Sequence, residues 1–316
     1  MEDKVVTPRN RKYPKKCSLC DEPAVIRNRY PERHLCSIHL NEQVRECVIR
    51  TIDRNRLISP GDHIAVALSG GKDSTALLLL LNQILPGYPG VTMSAITIDE
   101  GIAGYRDKTL LSAEALTAYL GVEHRILTFS DLFGDDLDVL LRGREKEACT
   151  ICGVLRRRAL VKAARQVAAT KIATGHNLDD EAQSVLMNVL RGDLPRLVQD
   201  TSSGNPGCFI PRIKPLSSVT EKEIATFLFL QGHFPDLPEC PYAGHALRSE
   251  VRSMLSGLEH SYPGTMNRLI RSRELIRTHI RLDGKKGSFR SCRVCGDPCS
   301  GETCQVCRRI RTHRGA

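Results

Sequence analysis

The sequence has no tryptophan, few other aromatic residues and no long apolar run. Aromatic residues make up 4% of the 316 residues. No uninterrupted apolar stretch reaches the roughly 18 residues that a membrane-spanning helix needs. The first 16 residues are charged and contain proline, unlike a secretory signal peptide. We therefore expect a soluble cytoplasmic protein with no membrane partner, large enough for one main domain with appendages.

Acidic residues are outnumbered by basic ones, and the cysteine content is high. There are 46 lysines and arginines against 36 acidic residues, which gives a net charge of +10. This charge suits a polyanionic partner such as nucleic acid, although a solvated basic surface is the plainer interpretation. The chain has 13 cysteines. Because thiols inside cells are kept reduced, we do not expect a disulfide framework.

The common phosphate-binding loop of NTPases is also missing, because Val66 and Asp73 stand where that pattern needs glycine and serine or threonine. Residues 69–74 instead read SGGKDS, between an apolar run at 63–68 and another at 75–81. This pattern predicts a strand, a tight turn and a helix capped by Asp73 or Ser74, an arrangement that binds phosphate. An ordinary glycine turn is the alternative. The predicted ATP-binding residues of this turn are Ser69, Gly70, Gly71, Lys72, Asp73 and Ser74.

Strands and helices alternate along the middle of the chain. The predicted strands are 63–68, 91–98, 123–129, 171–174 and 209–213. The predicted helices are 40–57, a first one after 74, and then 104–120, 131–143, 150–169, 181–191, 221–231, 245–259 and 263–280. Such alternation predicts an α/β fold with a doubly wound parallel sheet. We divide the chain into a finger at 1–40, a catalytic domain at 41–240, a basic helical segment at 241–290 and a ribbon at 291–316.

Ligands of doubly wound sheets bind at the carboxyl ends of the strands. This places three segments of the chain on one rim of the sheet: 69–74, 98–101 and 175–180. The predicted nucleotide contacts outside the glycine turn are Ala67 and Ile98, whose backbone lies against adenine, together with Leu68, Gly175, His176 and Asp180. Asp179 and Asp180 have two interpretations. They cap the helix that follows, or Asp180 helps to hold Mg²⁺, which prefers one or two carboxylates together with phosphate oxygens. We favour Mg²⁺ for Asp180.

Four residues near the beginning of the chain have the spacing of a structural zinc site. They form a Cys-x-x-Cys pair and, further on, a Cys-x-x-His pair: Cys17, Cys20, Cys36 and His39. Four soft ligands in two short pairs are typical of tetrahedral zinc, and a redox dithiol is the alternative.

A second zinc site is predicted near the other end of the chain. Its ligands are two Cys-x-x-Cys pairs: Cys292 with Cys295, and Cys304 with Cys307. Two such pairs close together are typical of a zinc ribbon. Cys299 lies between the pairs and is a spare thiol.

A third cysteine pair, Cys149 and Cys152, has no second pair nearby. Cys240 is its most plausible companion, and Cys208 a weaker one. Three thiolates leave one metal position open, as a reactive centre requires, and they suit a [4Fe–4S] cluster with one open iron. A persulfide-carrying redox pair is the alternative, and two inert buried thiols are a third possibility.

Several motifs together resemble the enzymes that 2-thiolate tRNA. The loop at 69–74 is similar to the pyrophosphate loop of the ATP-pyrophosphatase (PP-loop) superfamily. Within that superfamily, 149–154 (CTICGV) with Arg156 and Arg157, 174–180 (TGHNLDD) and the two zinc fingers occur in the order found in the tRNA 2-thiolation family. Residues 185–197 (VLMNVLRGDLPRL) resemble the archaeal and eukaryotic cytoplasmic branch, which modifies wobble uridine 34.

The resemblance implies an activity and its cofactors. It implies adenylation of the C2 oxygen of a tRNA uridine and its replacement by sulfur, with ATP, Mg²⁺, two Zn²⁺ ions and a [4Fe–4S] cluster on Cys149, Cys152 and Cys240. It also implies a nucleotide-site role for Arg156, a homodimer, and a ubiquitin-like thiocarboxylate protein or free sulfide as sulfur donor. Besides the three cysteines, the predicted catalytic residues are Lys72, Asp73 and Asp180.

Other functions are kept as alternatives. The same chemistry at uridine 54, another PP-loop tRNA-modifying ligase, and a non-catalytic zinc-bearing RNA-binding protein all suit part of the pattern. We expect both zinc modules, together with an arginine-rich face on the helix at 263–280, to hold tRNA. The arginines of that predicted face are Arg268, Arg271, Arg273, Arg277 and Arg281.

Overall fold

A five-stranded parallel sheet lies at the centre of the protein. The computed structural model describes residues 15–198, 210–233, 238–242, 247–279 and 290–314. The strands are β1 (Ile26–Arg29), β2 (Glu32–Leu35), β3 (His63–Ala67), β4 (Thr92–Asp99), β5 (His124–Thr128), β6 (Lys171–Ala173), β7 (Arg212–Ile213), β8 (Arg290–Ser291) and β9 (Pro298–Cys299). The central sheet has the order β5-β4-β3-β6-β7, and β1-β2 and β8-β9 form separate antiparallel pairs.

The helices alternate with the strands of the central sheet. They are α1 (Ser37–Arg54), α2 (Lys72–Ile84), α3 (Arg106–Leu120), α4 (Phe129–Phe133), α5 (Leu137–Leu140), α6 (Ala148–Gln166), α7 (Leu178–Leu190), α8 (Leu194–Val198), α9 (Glu221–Leu230), α10 (Leu247–Ser261), α11 (Thr265–His279) and α12 (Gln305–Arg314). No helix among the described residues combines the length and apolar character needed to cross a bilayer.

Both faces of the sheet are covered, because successive side chains of β3 point to opposite sides. Ile64 and Val66 join the apolar core that contains the leucines of α2, whereas Ala65 joins the core formed with β4 and α6. The near-continuous apolar character of β3 is explained by this double burial. The predicted doubly wound parallel α/β fold is therefore confirmed.

The predicted helix at 131–143 is wrong in its extent. The chain forms two short helices there, α4 and α5, which are separated by Gly134 at φ 90°. A residue in the left-handed region ends a helix, and glycine adopts that conformation without a steric penalty. The predicted strand at 209–213 is observed as Arg212–Ile213, and residue 209 lies outside the described residues.

A smaller apolar cluster joins α7, α10 and α11. One predicted feature of α11 is wrong, because Arg273 does not belong to its exposed arginine face. Arg273 turns inward, where its Nη1 atom lies 3.1 Å from Oε2 of the buried Glu181. Arg281 lies outside the described residues.

Candidate functional site

The glycine turn after β3 packs directly against the first turn of α3. Gly70 has φ 83°, and a Cβ atom placed there would lie 2.1 Å from the carbonyl oxygen of Thr109. A Cβ atom on Gly175, after β6, would lie 2.9 Å from the carbonyl carbon of Asp73. These two positions therefore need glycine, and the segments after β3 and β6 meet at the rim as the sequence predicts.

The amino end of α2 has no side-chain cap, so the predicted capping by Asp73 or Ser74 is wrong. Gly71 occupies the N-cap position without a side-chain hydrogen bond. The Ser74 hydroxyl instead donates to the Gly71 carbonyl at 2.9 Å and accepts from the Ser69 amide at 3.1 Å. These contacts brace the turn, and the positive end of the α2 dipole favours an anion there.

Lys72 is paired with two carboxylates. Its Nζ atom lies 2.9 Å from Glu221 Oε1, in the first turn of α9, and 3.0 Å from Asp73 Oδ2. Burial lowers the pKa of Lys72, but the two carboxylates outweigh it and hold the pKa above its usual value. Lys72 is therefore a permanent cation beside the glycine turn.

Asp73 and Asp180 are connected through Asn177. The amide nitrogen Nδ2 of Asn177 donates to Asp73 Oδ1 at 3.0 Å. Asn177 and Asp180 also form the capping box of α7, so the capping interpretation holds for Asp180. The second oxygen of Asp180, Oδ1, lies 3.8 Å from Arg248 Nη1. A magnesium role for Asp180 stays a prediction.

The other acidic and imidazole groups of this segment are largely engaged. Asp179 Oδ2 accepts from the Glu221 amide at 2.8 Å, and burial raises the pKa of this carboxyl. His176 Nδ1 lies 2.9 Å from the Thr174 hydroxyl. Burial lowers the pKa of His176, with Lys214 adding to the effect. A neutral imidazole beside the rim can orient a polar substrate group without adding charge.

The predicted adenine contacts lie in the sheet and at its edge. The Leu68 amide donates to the Ile96 carbonyl at 2.9 Å, and the Leu68 carbonyl accepts from the Thr97 hydroxyl at 2.7 Å. The Ile98 carbonyl accepts from Arg106. Ala67, the last residue of β3, is half-buried. The backbone amide and carbonyl of Leu68 therefore already have hydrogen-bond partners. Contacts of Ala67 and Ile98 with adenine, and of Leu68 with the nucleotide, stay predictions.

The third cysteine group lies at the amino end of α6. Cys149 is exposed, and Cys152, one turn later, is buried. Cys240 is half-buried and packs against the same core as Cys152. Cys149 Sγ lies 3.5 Å from the Tyr242 carbonyl oxygen, so the segment that carries Cys240 contacts the first turn of α6. Cys208 lies outside the described residues.

Burial dominates the chemistry of Cys152. It raises the pKa of this thiol to about 11, and Glu100, Cys240 and Cys149 add to the rise while Arg156 opposes it. The Nη2 atom of Arg156 donates to Cys152 Sγ at 3.3 Å. This hydrogen bond favours the thiolate, the form that binds metal.

Sequence reasoning missed Glu100, which joins this cysteine to the rest of the site. Its Oε1 atom accepts from Arg156 Nε at 2.6 Å, and its side chain is buried. The available signal was an acidic residue directly after the Asp99 that ends β4, at the rim where ligands bind.

The four predicted ligands near the amino end converge on one point. His39 Nδ1 lies 3.4 Å from Cys17 Sγ, 3.4 Å from Cys20 Sγ and 3.3 Å from Cys36 Sγ. A tetrahedral zinc ion with bonds of about 2.3 Å to sulfur spaces its sulfur ligands by about 3.8 Å. The Sγ atoms of Cys20 and Cys36 are 3.8 Å apart, so these residues fit a tetrahedral metal ion.

The four predicted ligands near the other end also converge. The ligand atoms of Cys292, Cys295, Cys304 and Cys307 all lie within 4.8 Å of one another. The Cys304 amide donates to Cys292 Sγ at 3.3 Å and is the main cause that lowers the pKa of Cys292 to about 6. Cys299 is outside this set, since its thiol donates to the Gly301 carbonyl at 2.9 Å.

Known protein families match this chain over two segments. Residues 40–233 match the PP-loop domain, and residues 16–41 match the N-terminal LIM domain of the 2-thiouridine synthetase TtuA. The first match covers most of the chain and agrees with the glycine turn and the parallel sheet. The protein is therefore a PP-loop protein.

Relatives that match almost the whole chain show which family of PP-loop proteins it belongs to. The chain is 36% identical to the tRNA 2-thiolation protein NcsA of Haloferax volcanii, over 94% of this chain and 98% of that protein. It is 38% identical to cytoplasmic tRNA 2-thiolation protein 1 of Mus musculus, over 92% of this chain and 71% of that protein. The solved structure of the U34-tRNA thiolase NcsA from Methanococcus maripaludis with its [4Fe–4S] cluster is similar with a TM-score of 0.81, at 31% identity over 94% of this chain and 96% of that one. The chain belongs to the tRNA 2-thiouridine synthetase family, so the predicted family is confirmed.

Proposed function

We propose that the protein is an ATP-dependent tRNA sulfurtransferase that replaces the C2 oxygen of wobble uridine 34 with sulfur. The observation that supports this most directly is the contact of Arg156 with Cys152 on one side and with Glu100, at the rim of the nucleotide site, on the other. A thiol centre and a phosphate-binding turn at one rim suit activation of a base by ATP followed by sulfur transfer. The archaeal relative of known structure is named a U34-tRNA thiolase, which supports position 34 over position 54.

The cysteine group fits a cluster better than a single metal ion. Among the described residues, only the two terminal sets bring three or more potential ligand atoms within 4.8 Å of one another. The thiols of Cys149, Cys152 and Cys240 are therefore too widely spaced for one tetrahedral ion. Three cysteines in contacting segments that do not form a compact tetrahedral set suit a larger group such as a [4Fe–4S] cluster, which cysteine thiolates hold. When bound, such a cluster supplies an open iron that can carry sulfide.

The first chemical step is adenylation of the base. The C2 carbonyl oxygen of uridine attacks the α-phosphorus of ATP, a new P–O bond forms, and the bond to the leaving pyrophosphate breaks. Lys72 and the positive end of the α2 dipole stabilise the charge that builds on pyrophosphate. We assign Mg²⁺ to Asp73 and Asp180, which both contact Asn177 and would hold the ion against the same phosphates.

The second step transfers sulfur to the activated base. A sulfide sulfur attacks C2, the C2–O bond breaks, and AMP leaves with the former carbonyl oxygen. Arg156 places a positive charge beside Cys152, where it stabilises the negative charge of the sulfur centre. A loop base reaches such a site more readily than a paired base, because it is already partly unstacked. We infer a thiocarboxylate carrier protein or free sulfide as donor.

The remaining proposals concern tRNA and assembly. We assign tRNA contacts to both zinc modules and to the outward-facing arginines of α11, since phosphate contacts position a nucleic acid on its protein. We also assign zinc to both terminal ligand sets, a homodimeric state, and a cytoplasmic location. The mouse relative is named a cytoplasmic protein, which supports the last assignment.

The test is nucleoside mass spectrometry of tRNA from a deletion strain, with each modification mapped to its position. We expect 2-thiouridine to be lost at position 34 and to return with the wild-type gene. The variant Cys240→Ala should not restore it, although both zinc sites stay filled. Loss at position 54 alone would assign the alternative substrate, and a fully active Cys240→Ala would contradict the cluster. Absence of iron with retained tRNA-dependent ATP cleavage would favour another PP-loop ligase.

A further inference from the structure

We propose that Glu100 is a positioning residue that couples the ATP-binding turn to Cys152 through two arginines, Arg106 and Arg156. The inference rests on the proposed function, because it concerns how the two halves of that site communicate. Glu100 follows β4 directly, and its side chain is 2% exposed. A buried carboxylate is costly unless cations compensate it. Here each carboxylate oxygen faces a different arginine.

The first link runs from Glu100 to the glycine turn. Glu100 Oε2 lies 2.9 Å from Arg106 Nε, and the Arg106 side chain is 4% exposed. Arg106 in turn donates to the Ser69 carbonyl at 3.2 Å, to the Thr109 hydroxyl at 3.0 Å and to the Ile98 carbonyl. Ser69 begins the turn that we assign to ATP. Any shift of that turn on nucleotide binding therefore acts on the Arg106 guanidinium.

The second link runs from Glu100 to the cysteine centre. Glu100 Oε1 accepts from Arg156 Nε at 2.6 Å, and Arg156 Nη2 donates to Cys152 Sγ at 3.3 Å. The Arg156 guanidinium is planar and donates through a rigid fork, so a contact on one edge fixes the direction of the other. Glu100 thus determines where Arg156 directs its charge and its hydrogen bond.

The contact between Glu100 and Arg106 is close but is not aligned as a hydrogen bond. Glu100 Oε2 and Arg106 Nε face each other at 2.9 Å, yet neither atom has a hydrogen-bond partner among the described residues. Their contact is electrostatic, and a small rotation of either group would convert it into a hydrogen bond. A nucleotide that moves the Ser69 carbonyl can supply such a rotation. The expected result is a change in the environment of Cys152.

The experiment measures the reactivity of Cys152 in the full chain without a cluster. Iodoacetamide alkylation is followed by peptide mass spectrometry, with and without saturating α,β-methylene-ATP, and calorimetric titration verifies that the analogue binds. We expect the analogue to change the rate of Cys152 alkylation by about fivefold or more in the wild type, the lower range of typical coupling between sites. In Glu100→Gln the alkylation rates with and without the analogue should be about equal, so that their ratio is about 1.

Two further variants make the result specific. Arg156→Gln breaks the second link, from Glu100 to Cys152, and leaves the buried Glu100–Arg106 pair in place. Its ratio of alkylation rates should also be about 1, which keeps the test available if Glu100→Gln proves unstable. Glu114→Gln makes the same charge change on the exposed side of α3 and should keep the wild-type ratio. Thermal unfolding of each variant verifies that it is folded.

Two results would overturn the inference. One is a wild-type ratio of 1, and the other is a folded Glu100→Gln that keeps the wild-type ratio, which would mean that the nucleotide shields Cys152 directly. Failure of the proposed function is distinguishable from both. It would appear as missing nucleotide binding in the titration or as missing 2-thiouridine in tRNA, whereas the alkylation ratio reports the coupling alone.

Discussion

The ε-ammonium group of Lys72 lies 2.9 Å from the carboxylate of Glu221, so the cation of the glycine turn already has an acidic partner from α9. Arg252 Nη2 contacts the same Oε1 atom of Glu221 at 2.5 Å. Burial raises the pKa of Glu221, but Lys72 and Arg252 outweigh it and hold the pKa below its usual value. A phosphate that binds Lys72 has to compete with this carboxylate.

Glu221→Gln should therefore strengthen ATP binding. The substitution keeps the shape of the side chain and removes the competing charge. Partly exposed ion pairs contribute about 0.3–1 kcal/mol, so the Kd for ATP should fall about two- to fivefold. Calorimetric titration measures this. Glu250→Gln, the same change at an exposed position of α10, is the control and should leave the Kd unchanged. Weaker binding by Glu221→Gln would show that the carboxylate supports the site.

Gly70→Ala should abolish ATP binding. The alanine would adopt φ 83° and place its Cβ atom 2.1 Å from the Thr109 carbonyl oxygen, so the glycine turn and α3 must separate. Gly121→Ala is a matched control, because Gly121 also has a positive φ, 64°, but a Cβ atom there meets nothing within 4 Å. The control should lose about 1–2 kcal/mol of stability from the left-handed conformation alone. Unchanged nucleotide titration in Gly70→Ala would contradict the assigned turn.

Much of the fold could be predicted because its signals are local. The apolar run before Ser69 is buried on both faces of the sheet, and such runs are recognisable without knowledge of the tertiary structure. The alternation of strands and helices then leaves few topologies. The pattern does not predict the break between α4 and α5, because Gly134 lies within one continuous amphipathic stretch. The left-handed conformation of Gly134 belongs to the turn between α4 and α5.

The site was predicted in its motifs and missed in its connections. The two terminal ligand sets have diagnostic spacing, and spacing is a property of sequence. The contact between Glu100 and Arg156 joins residues that are 56 positions apart. It depends on which helix faces the carboxyl end of β4. The inward turn of Arg273 depends on Glu181, 92 positions away. Long-range pairs of this kind leave no periodic signal in a single sequence.

Asp180→Asn separates the two roles of Asp180. An asparagine keeps an oxygen that can accept from the backbone amide of Asn177, as Asp180 Oδ2 does at 3.3 Å. It removes the negative charge of the carboxylate, the ligand type that Mg²⁺ prefers. We expect a change of less than about 1 kcal/mol in the free energy of unfolding, since the cap survives. The tRNA-dependent exchange of ATP and pyrophosphate should fall by about 100-fold or more, in the range for loss of one electrostatic group.

The comparison variant for Asp180→Asn is Thr220→Ala, which removes the N-cap side chain from the capping box of α9, where the Thr220 hydroxyl accepts from the Glu223 backbone amide at 3.2 Å. It should cost about 1 kcal/mol of stability and leave pyrophosphate exchange at the wild-type rate. Wild-type exchange by Asp180→Asn would reduce Asp180 to a helix cap and leave the magnesium site without this ligand.

Loss of the second terminal ligand set, to which we assign zinc, should weaken the cysteine centre as well. The module formed by β8, β9 and α12 packs on α6, where Val306 and Ile310 contact the core that contains Cys152. Arg309 of α12 also binds Glu147, two residues before Cys149, and its carbonyl oxygen accepts from Arg144 at 3.2 Å. If the ligand set is broken, α12 loses the support that keeps these contacts in place.

Cys304→Ser tests this dependence. Metal analysis of the purified chain should show zinc falling from two ions to one, and reconstitution with iron and sulfide should load less iron than in the wild type. Cys299→Ser changes a thiol of the same module that lies outside the ligand set, so it should keep both zinc ions and full iron loading. Full iron loading by a Cys304→Ser chain that has lost its zinc would mean that α6 holds Cys149 and Cys152 without help from α12. The module would then act on tRNA alone, and its contacts with Glu147 would be incidental to the cluster.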